Sequence, residues 1–276
     1  MTLGIGGWGS RRKPMALVRA LLRSDVRDLT VVSYGGADVG MLCAAGKVRK
    51  LVFSFVSLDF IPLEPYFRAA RQSGAIDVME IDEGMMMLGL RAAAMGVPYI
   101  PTAVGLGTDV LTRNPDLELI RSPYGGEREW IAMPALALDA ALVHVDRADA
   151  RGVCQIRGPD HYMDDLFVRA AERAIVSCDE LVETGYFHSA PEQARQVFWE
   201  RAQTTAVVPA RFGAHPGSCA PSYGVDLDHL RRYVASAKNP EGWQAYRAEF
   251  VDIDDARYLE NVGGAEAIEA LPLPVY

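Results

Sequence analysis

Hydrophobic and polar positions along the first hundred residues switch repeatedly between two periods. Residues 3–7, 29–34 and 48–56 are short apolar runs with the length of buried strands. Between them, residues 14–23, 39–45 and 65–72 carry apolar side chains at helical spacing, as in Met15, Leu17, Val18, Leu21 and Leu22. Pro14 suits a first helical turn, where no N–H is needed, and Gly46 and Gly74 supply stops. Residues 76–81 alternate apolar and acidic positions and predict a fourth strand. Residues 84–95 predict a helix closed by Gly96, and residues 97–104 are extended, with Pro98 and Pro101. Strands alternating with helices predict parallel βαβ units. In such sheets ligands sit at the carboxyl ends of strands. Three of these ends run into glycine, at Gly6-Gly7, Gly35-Gly36 and Gly105-Leu106-Gly107.

The second half is less regular. Residues 130–132 and 140–145 read as strands, and a hairpin is expected around Arg151-Gly152. Residues 164–174 predict a helix, and residues 194–208 fit neither period. Residues 212–223 mix Gly, Pro, Ser and Cys without periodicity and read as a long loop. Residues 226–237 and 240–251 are helical. The expected fold is a single α/β domain over residues 1–276. Its sheet is mainly parallel with helices on both faces, and residues 226–276 form a helical C-terminal extension.

Composition narrows the partners. Half of the 276 residues are hydrophobic, and the formal net charge is −8. That sign argues against sequence-independent nucleic-acid binding, which needs basic residues facing phosphates. It leaves open a phosphorylated ligand held by local loops or helix starts. Cys43, Cys154, Cys178 and Cys219 are far apart and form no CxxC pair, so reduced thiols and a cytoplasmic location are expected. His144, His161 and His215 lack metal-ligand spacing to one another or to a cysteine, and no metal is expected. No apolar run reaches the length of a membrane span, and the N-terminus lacks the order of a signal peptide.

Three constellations could carry chemistry. The first is the turn after the first strand, Gly6-Gly7-Trp8-Gly9-Ser10-Arg11-Arg12-Lys13-Pro14. Glycines admit close approach of a ligand, and free N–H groups at a helix start favour an anion or oxyanion. Arg11, Arg12 and Lys13 add positive charge for a carboxylate or phosphate. A tight structural turn with solvated basic residues is an equally good reading. The glycine spacing is neither a dinucleotide-binding fingerprint nor a P-loop. The second constellation is Glu80-Ile81-Asp82-Glu83-Gly84, a carboxylate run at a strand end immediately before a helix. Burial beside Met85, Met86 and Met87 would raise a carboxylate toward the range of a general base. Helix capping by Asp82, with Glu83 facing the dipole, is the plainer reading. The third is Gly105-Leu106-Gly107-Thr108, whose successive amides and hydroxyl suit a carbonyl oxygen or a phosphate.

The first of these resembles the α-subunit signature of the family I CoA-transferases: Gly-Gly-aromatic, three residues, Gly, any residue, Pro. Gly6, Gly7, Trp8 and Pro14 match, and Arg12 stands where the signature has glycine. The Arg12-Lys13-Pro14 form is similar to the glutaconate branch, and more so to the branch that opens steroid rings as CoA thioesters. Residues 33–40, 42–47, 105–109, 131–136 and 164–167 support that branch, so the resemblance spans roughly residues 3–250. The family usually has a short Asp-Gly segment before the first strand, which implies a late start for this sequence.

The resemblance implies the family's α/β fold, a homologous β subunit in an α2β2 heterotetramer and an acyl-CoA substrate. Coenzyme A enters as part of that substrate, with no permanently bound cofactor. It implies hydrolysis of a carbon–carbon bond in a cyclic keto acyl-CoA, with Glu83 as the catalytic carboxylate. Gly6, Gly7, Gly35, Gly36, Gly105, Gly107 and Thr108, with Arg11 and Lys13, are the expected CoA-binding or oxyanion groups. Two other readings stand beside it. One is CoA transfer through a glutamyl thioester on the β subunit, and the other is a non-catalytic binding and assembly subunit.

Overall fold

The structure is a computed structural model that describes residues 1–273. The strands are β1 (Thr2–Trp8), β2 (Leu29–Tyr34), β3 (Val48–Phe53), β4 (Asp77–Glu80), β5 (Tyr99–Thr102), β6 (Glu118–Arg121), β7 (Glu129–Pro134), β8 (Ala140–Asp149), β9 (Cys154–Gln155), β10 (Ala174–Val182) and β11 (Thr204–Pro209). The first six helices are α1 (Met15–Arg23), α2 (Ala37–Ala44), α3 (Pro65–Ser73), α4 (Glu83–Ala94), α5 (Val110–Arg113) and α6 (Asp164–Ala170). They are followed by α7 (Pro191–Ala194), α8 (Leu227–Ala235), α9 (Pro240–Phe250), α10 (Asp255–Asn261) and α11 (Gly264–Glu269).

The main sheet has the order β11-β10-β8-β1-β2-β3-β4, with β9 paired to β8 off this path. All its pairings are parallel except β8 with β9, which form the expected hairpin. The chain starts at the centre of the sheet, runs outward through β2, β3 and β4, and returns to the other side of β1 as β8. The order therefore reverses between β1 and β8, a topological switch point.

Each face of the sheet is covered. One core gathers Ile5, Val18, Leu22, Val31 and Leu51 with Tyr233, Tyr246 and Phe250 of α8 and α9. The opposite core packs Met85, Met86 and Leu90 of α4 and Phe167 of α6 against Val52, Val143 and Val176. Burying these apolar faces is the main favourable term for the fold. The mainly parallel α/β expectation holds, and α8 to α11 lie within residues 226–276. Residues 274–276 of that extension lie outside the described residues.

Two local readings are corrected, and one undecided segment is resolved. The segments 97–104 and 130–132 do not join the parallel sheet; they form β5 and β7 of a separate antiparallel sheet ordered β5-β7-β6. The helix expected over 164–174 ends at Ala170, and Ala174 opens β10. The undecided segment 194–208 contains a 3₁₀ turn at Arg201–Gln203 and then strand β11.

Candidate active site

Glu83 is the first residue of α4, placed there by the end of β4. Asp82 caps the helix, its Oδ1 accepting the Gly84 N–H at 2.8 Å. The capping reading of Asp82 is therefore correct, and it frees Glu83 from that task. Below Glu83 the helix is fixed by Met85, Met86 and Leu90, all completely buried. The main-chain carbonyl of Glu83 accepts the Tyr34 hydroxyl at 3.0 Å. The Tyr34 ring stacks on Trp8, with centroids 4.9 Å apart and planes inclined by 18°. Phe55 closes the same aromatic group 4.9 Å from Trp8. The Glu83 carboxylate is exposed and makes no hydrogen bond or ion pair among the described residues. Partial burial, and then the neighbouring charge of Asp82, raise its pKa above the ordinary glutamate value. That direction suits a general base.

Beside this helix start lies a cleft of about 810 Å³. Its wall includes Ser54 after β3, Glu80 at the end of β4 and Asp82 beyond it, and Gly105, Thr108 and Arg113 from the segment after β5. Glu80, Ile81 and Asp82 of the second constellation and Gly105 and Thr108 of the third therefore line one cavity at the carboxyl ends of β3 and β4, while Glu83 and Gly107 adjoin lining residues in the chain without lining it themselves. Gly105 and Gly107 have φ of 91° and 76°, in the left-handed region that favours glycine. A Cβ on Gly105 would lie 2.9 Å from the Met85 sulfur, so the loop packs directly on α4. Thr108 donates its hydroxyl to the Gly105 carbonyl at 2.8 Å. The N–H groups of Gly105 and Gly107 donate to no partner among the described residues. They are two donors in this region that remain available for an oxyanion. Arg71 pairs with Glu80 at the lip, and Arg113 on α5 is exposed.

The glycine turn after β1 is arranged differently. The Gly7 N–H donates to Asp164 Oδ1 at 2.7 Å, and the Ser10 N–H to Asp59 Oδ2 at 3.0 Å. The Trp8 and Arg11 amides bond to each other's carbonyls, and the Arg12 N–H reaches the Ser218 carbonyl at 2.7 Å. Gly6 lies against Asp164: a Cβ there would be 2.4 Å from Asp164 Oδ1. Asp164 also holds the Arg12 guanidinium at 2.7 Å, with both side chains buried. Lys13 is 1% exposed and sits 3.1 Å from Asp38 Oδ2 and 2.7 Å from the Ser33 hydroxyl. Burial lowers the pKa of Lys13, and Asp38 opposes that shift.

The second glycine pair is equally committed. The Gly35 N–H donates to the Phe55 carbonyl at 3.1 Å, and the Gly36 N–H to Asp38 Oδ1 at 2.7 Å. A Cβ on Gly36 would stand 2.0 Å from the Gly9 carbonyl oxygen. The Gly7, Gly35 and Gly36 amides and the Lys13 ammonium thus all have partners inside the fold, and Gly6 lies against Asp164. Their polar groups and surfaces are used inside the fold, and two buried ion pairs fill the switch point. Of the three basic residues in the turn, Arg11 alone is substantially exposed, 3.6 Å from Asp59. The acids that close the turn, Asp38 and Asp164, were not singled out from sequence, although both lie in stretches that carry the family resemblance.

Comparison with known proteins agrees with this architecture. The profile of the family described as Coenzyme A transferase matches residues 1–200. The Cholesterol ring-cleaving hydrolase IpdA subunit of Mycobacterium tuberculosis (strain H37Rv) is 48% identical over 269 residues, covering 95% of this chain and 91% of that protein. The same-named subunit from Rhodococcus jostii RHA1 is 49% identical over 269 residues, covering 95% of this chain and 90% of that protein. The crystal structure of glutaconate coenzyme A-transferase from Acidaminococcus fermentans superimposes with a TM-score of 0.90 at 25% identity, over 98% of this chain and 90% of that one. By profile, by sequence and by fold, this chain belongs to the coenzyme A transferase family.

Proposed function

We propose that this chain is the α subunit of a heteromeric acyl-CoA enzyme that hydrolyses a carbon–carbon bond, opening a ring of a steroid-derived cyclic keto acyl-CoA. The observation that carries the reading is the unpaired Glu83 carboxylate, raised in pKa, one residue beyond a cleft that Asp82 and Gly105 line, with two uncommitted amides in the Gly105–Gly107 loop. The identity of nearly half to subunits named as cholesterol ring-cleaving hydrolases supports the substrate class.

In this mechanism Glu83 takes a proton from water as its oxygen attacks a ring ketone. The oxyanion that forms is held by the Gly105 and Gly107 amides, aided by Thr108. Collapse of the adduct breaks the ring carbon–carbon bond and leaves a carboxylic acid. The electron pair departs on a carbon stabilised by a neighbouring carbonyl, and that carbon takes the proton back from Glu83. Every proton is returned, and no redox partner is required. Coenzyme A serves as the handle of the substrate, with no permanent cofactor. A homologous β subunit completes the site in an α2β2 assembly, and Arg11 and Arg113 remain open to a carboxylate or to CoA phosphates. Four free thiols accord with a cytoplasmic location. No helix among the described residues is long and apolar enough to cross a membrane.

The close superposition on glutaconate coenzyme A-transferase supports one competing reading, transfer of CoA between carboxylic acids. The co-expressed pair decides between them. Ring opening of a cyclic keto acyl-CoA without an acyl acceptor supports hydrolysis. A borohydride-trapped glutamyl thioester on the β subunit, with no ring opening, overturns it. Full turnover by the Glu83→Gln pair would leave this chain a non-catalytic binding and assembly subunit.

A further inference from the structure

Three donor groups from distant parts of the chain meet on the side of β1 away from the cleft. His144 of β8, Asp179 of β10 and Cys219 of the 212–223 loop bring an imidazole nitrogen, a carboxylate oxygen and Sγ within 4.8 Å of one another. We propose that they form a structural site for a zinc-type divalent cation, which fastens the 212–223 loop to the sheet. Sequence spacing shows no such site, because its members come together only through the pairing of β8 with β10 and the return of the loop.

The donor set is the first argument. An imidazole nitrogen, a thiolate and a carboxylate oxygen suit a borderline-soft ion of zinc type, which is commonly four-coordinate. The second argument is orientation. The Nδ1 of His144 is bonded to the Ser177 hydroxyl at 2.9 Å, which turns Nε2 toward Asp179 at 3.2 Å. A partner on the far ring nitrogen is the usual support of a metal-binding histidine. The third is an unmet need. Asp179 Oδ1 already accepts the Phe212 N–H at 2.7 Å, while Oδ2 is buried with no partner among the described residues. A buried acceptor left without a partner is costly, and a cation removes that cost.

Access and consequence follow from the surroundings. A cavity of about 370 Å³, lined in part by Asp146, Asp179 and Tyr223, supplies a route in and room for a water as fourth ligand. Binding breaks the S–H bond, forms a sulfur–metal bond and releases one proton to solvent. The site would also brace the glycine turn, because Ser218 exchanges main-chain bonds with it: its carbonyl takes the Arg12 N–H at 2.7 Å, and its N–H reaches the Ser10 carbonyl at 2.9 Å.

The test uses the full chain with its co-expressed partner, stripped by a chelator and titrated with Co²⁺ and then Zn²⁺. The expected result is a thiolate-to-cobalt charge-transfer band that saturates at one equivalent and is bleached by zinc. Zinc at about a hundred times its Kd raises the unfolding midpoint by roughly 5–10 °C. Cys219→Ser and His144→Ala abolish the band, and Cys43→Ser keeps it. Asp179→Asn, the mildest change, weakens cobalt binding at least tenfold and serves if the other variants fail to fold. A folded wild-type protein with no band overturns the proposal, leaving His144 and Asp179 a plain hydrogen-bonded pair. Unchanged affinity in folded Cys219→Ser or Asp179→Asn overturns it equally.

Discussion

The hydroxyl of Tyr34, at the end of β2, donates to the main-chain carbonyl of Glu83 across 3.0 Å and ties the start of α4 to the centre of the sheet. Tyr34 is itself pinned by stacking on Trp8. Tyr34→Phe keeps the ring and deletes the tether. It is expected to cost about 1 kcal/mol of stability. Turnover is expected to fall roughly tenfold with little change in KM, since a small displacement of a reacting group is expensive. Denaturant unfolding and steady-state kinetics of the co-expressed pair check both.

Glu83→Gln removes the proposed base and keeps its shape. Turnover is expected to fall by about 10²–10⁴ while substrate binding is retained. In the unmodified enzyme kcat/KM rises with pH as Glu83 ionises, and the midpoint lies above the ordinary glutamate value. That acid limb disappears from the residual activity of the variant. A pH–rate profile of both proteins is the measurement.

Asp164 receives the Gly7 amide and the Arg12 guanidinium in the interior. Asp164→Ala strands a buried cation and is expected to destabilise the chain by about 3–5 kcal/mol. Arg11→Ala, at the exposed pair with Asp59, should change stability by roughly 0–1 kcal/mol. Chemical denaturation of the two variants compares neighbouring arginine sites that differ mainly in burial.

Gly105 and Gly107 differ in a testable way. Alanine is strained at either position by positive φ, but only at Gly105 does the new methyl meet the Met85 sulfur. Gly105→Ala is expected to lose about 1–3 kcal/mol and to displace α4. Gly107→Ala should lose about 1 kcal/mol from backbone strain alone. Thermal melts rank them, and a ranking in the reverse order would contradict the packing of this loop on α4.

Glu64 accepts the Tyr233 hydroxyl at 2.6 Å and caps α3, and burial pushes its pKa up to about 7. The folded chain therefore holds this proton where the unfolded chain, near 4.5, has released it. Stability from this group is fully present below about pH 4.5 and is lost as pH rises through about 7. The full span amounts to roughly 3 kcal/mol. Glu64→Gln should flatten that part of the stability–pH curve, as read by urea midpoints at several pH values.

The half of the fold made of β1 to β4 and α1 to α4 is legible because its elements alternate between the two periods and several are closed by glycine, at Gly35, Gly46, Gly74 and Gly96. β10 was missed because Asp179 and Glu180 interrupt its apolar run, and the helical pattern of α6 leads straight into it. The β5-β7-β6 sheet was seen as extended segments, but its antiparallel pairing joins residues far apart in the chain and leaves no local trace. The same limit applies to the site. The location of Glu83 at a strand end could be read from spacing. The inward orientation of Lys13 could not, because it depends on Asp38 in the next βα unit, and the fate of the Gly7 amide depends on Asp164.

A turn most of whose main-chain donors are engaged at home says little about what is bound nearby. Selection for a new reaction could reshape the 105–113 rim and the start of α4 without disturbing the motif that identifies the lineage. The sequence mark by which such chains are most easily recognised is then a record of shared ancestry, and a poor guide to which of the family's reactions a given member performs.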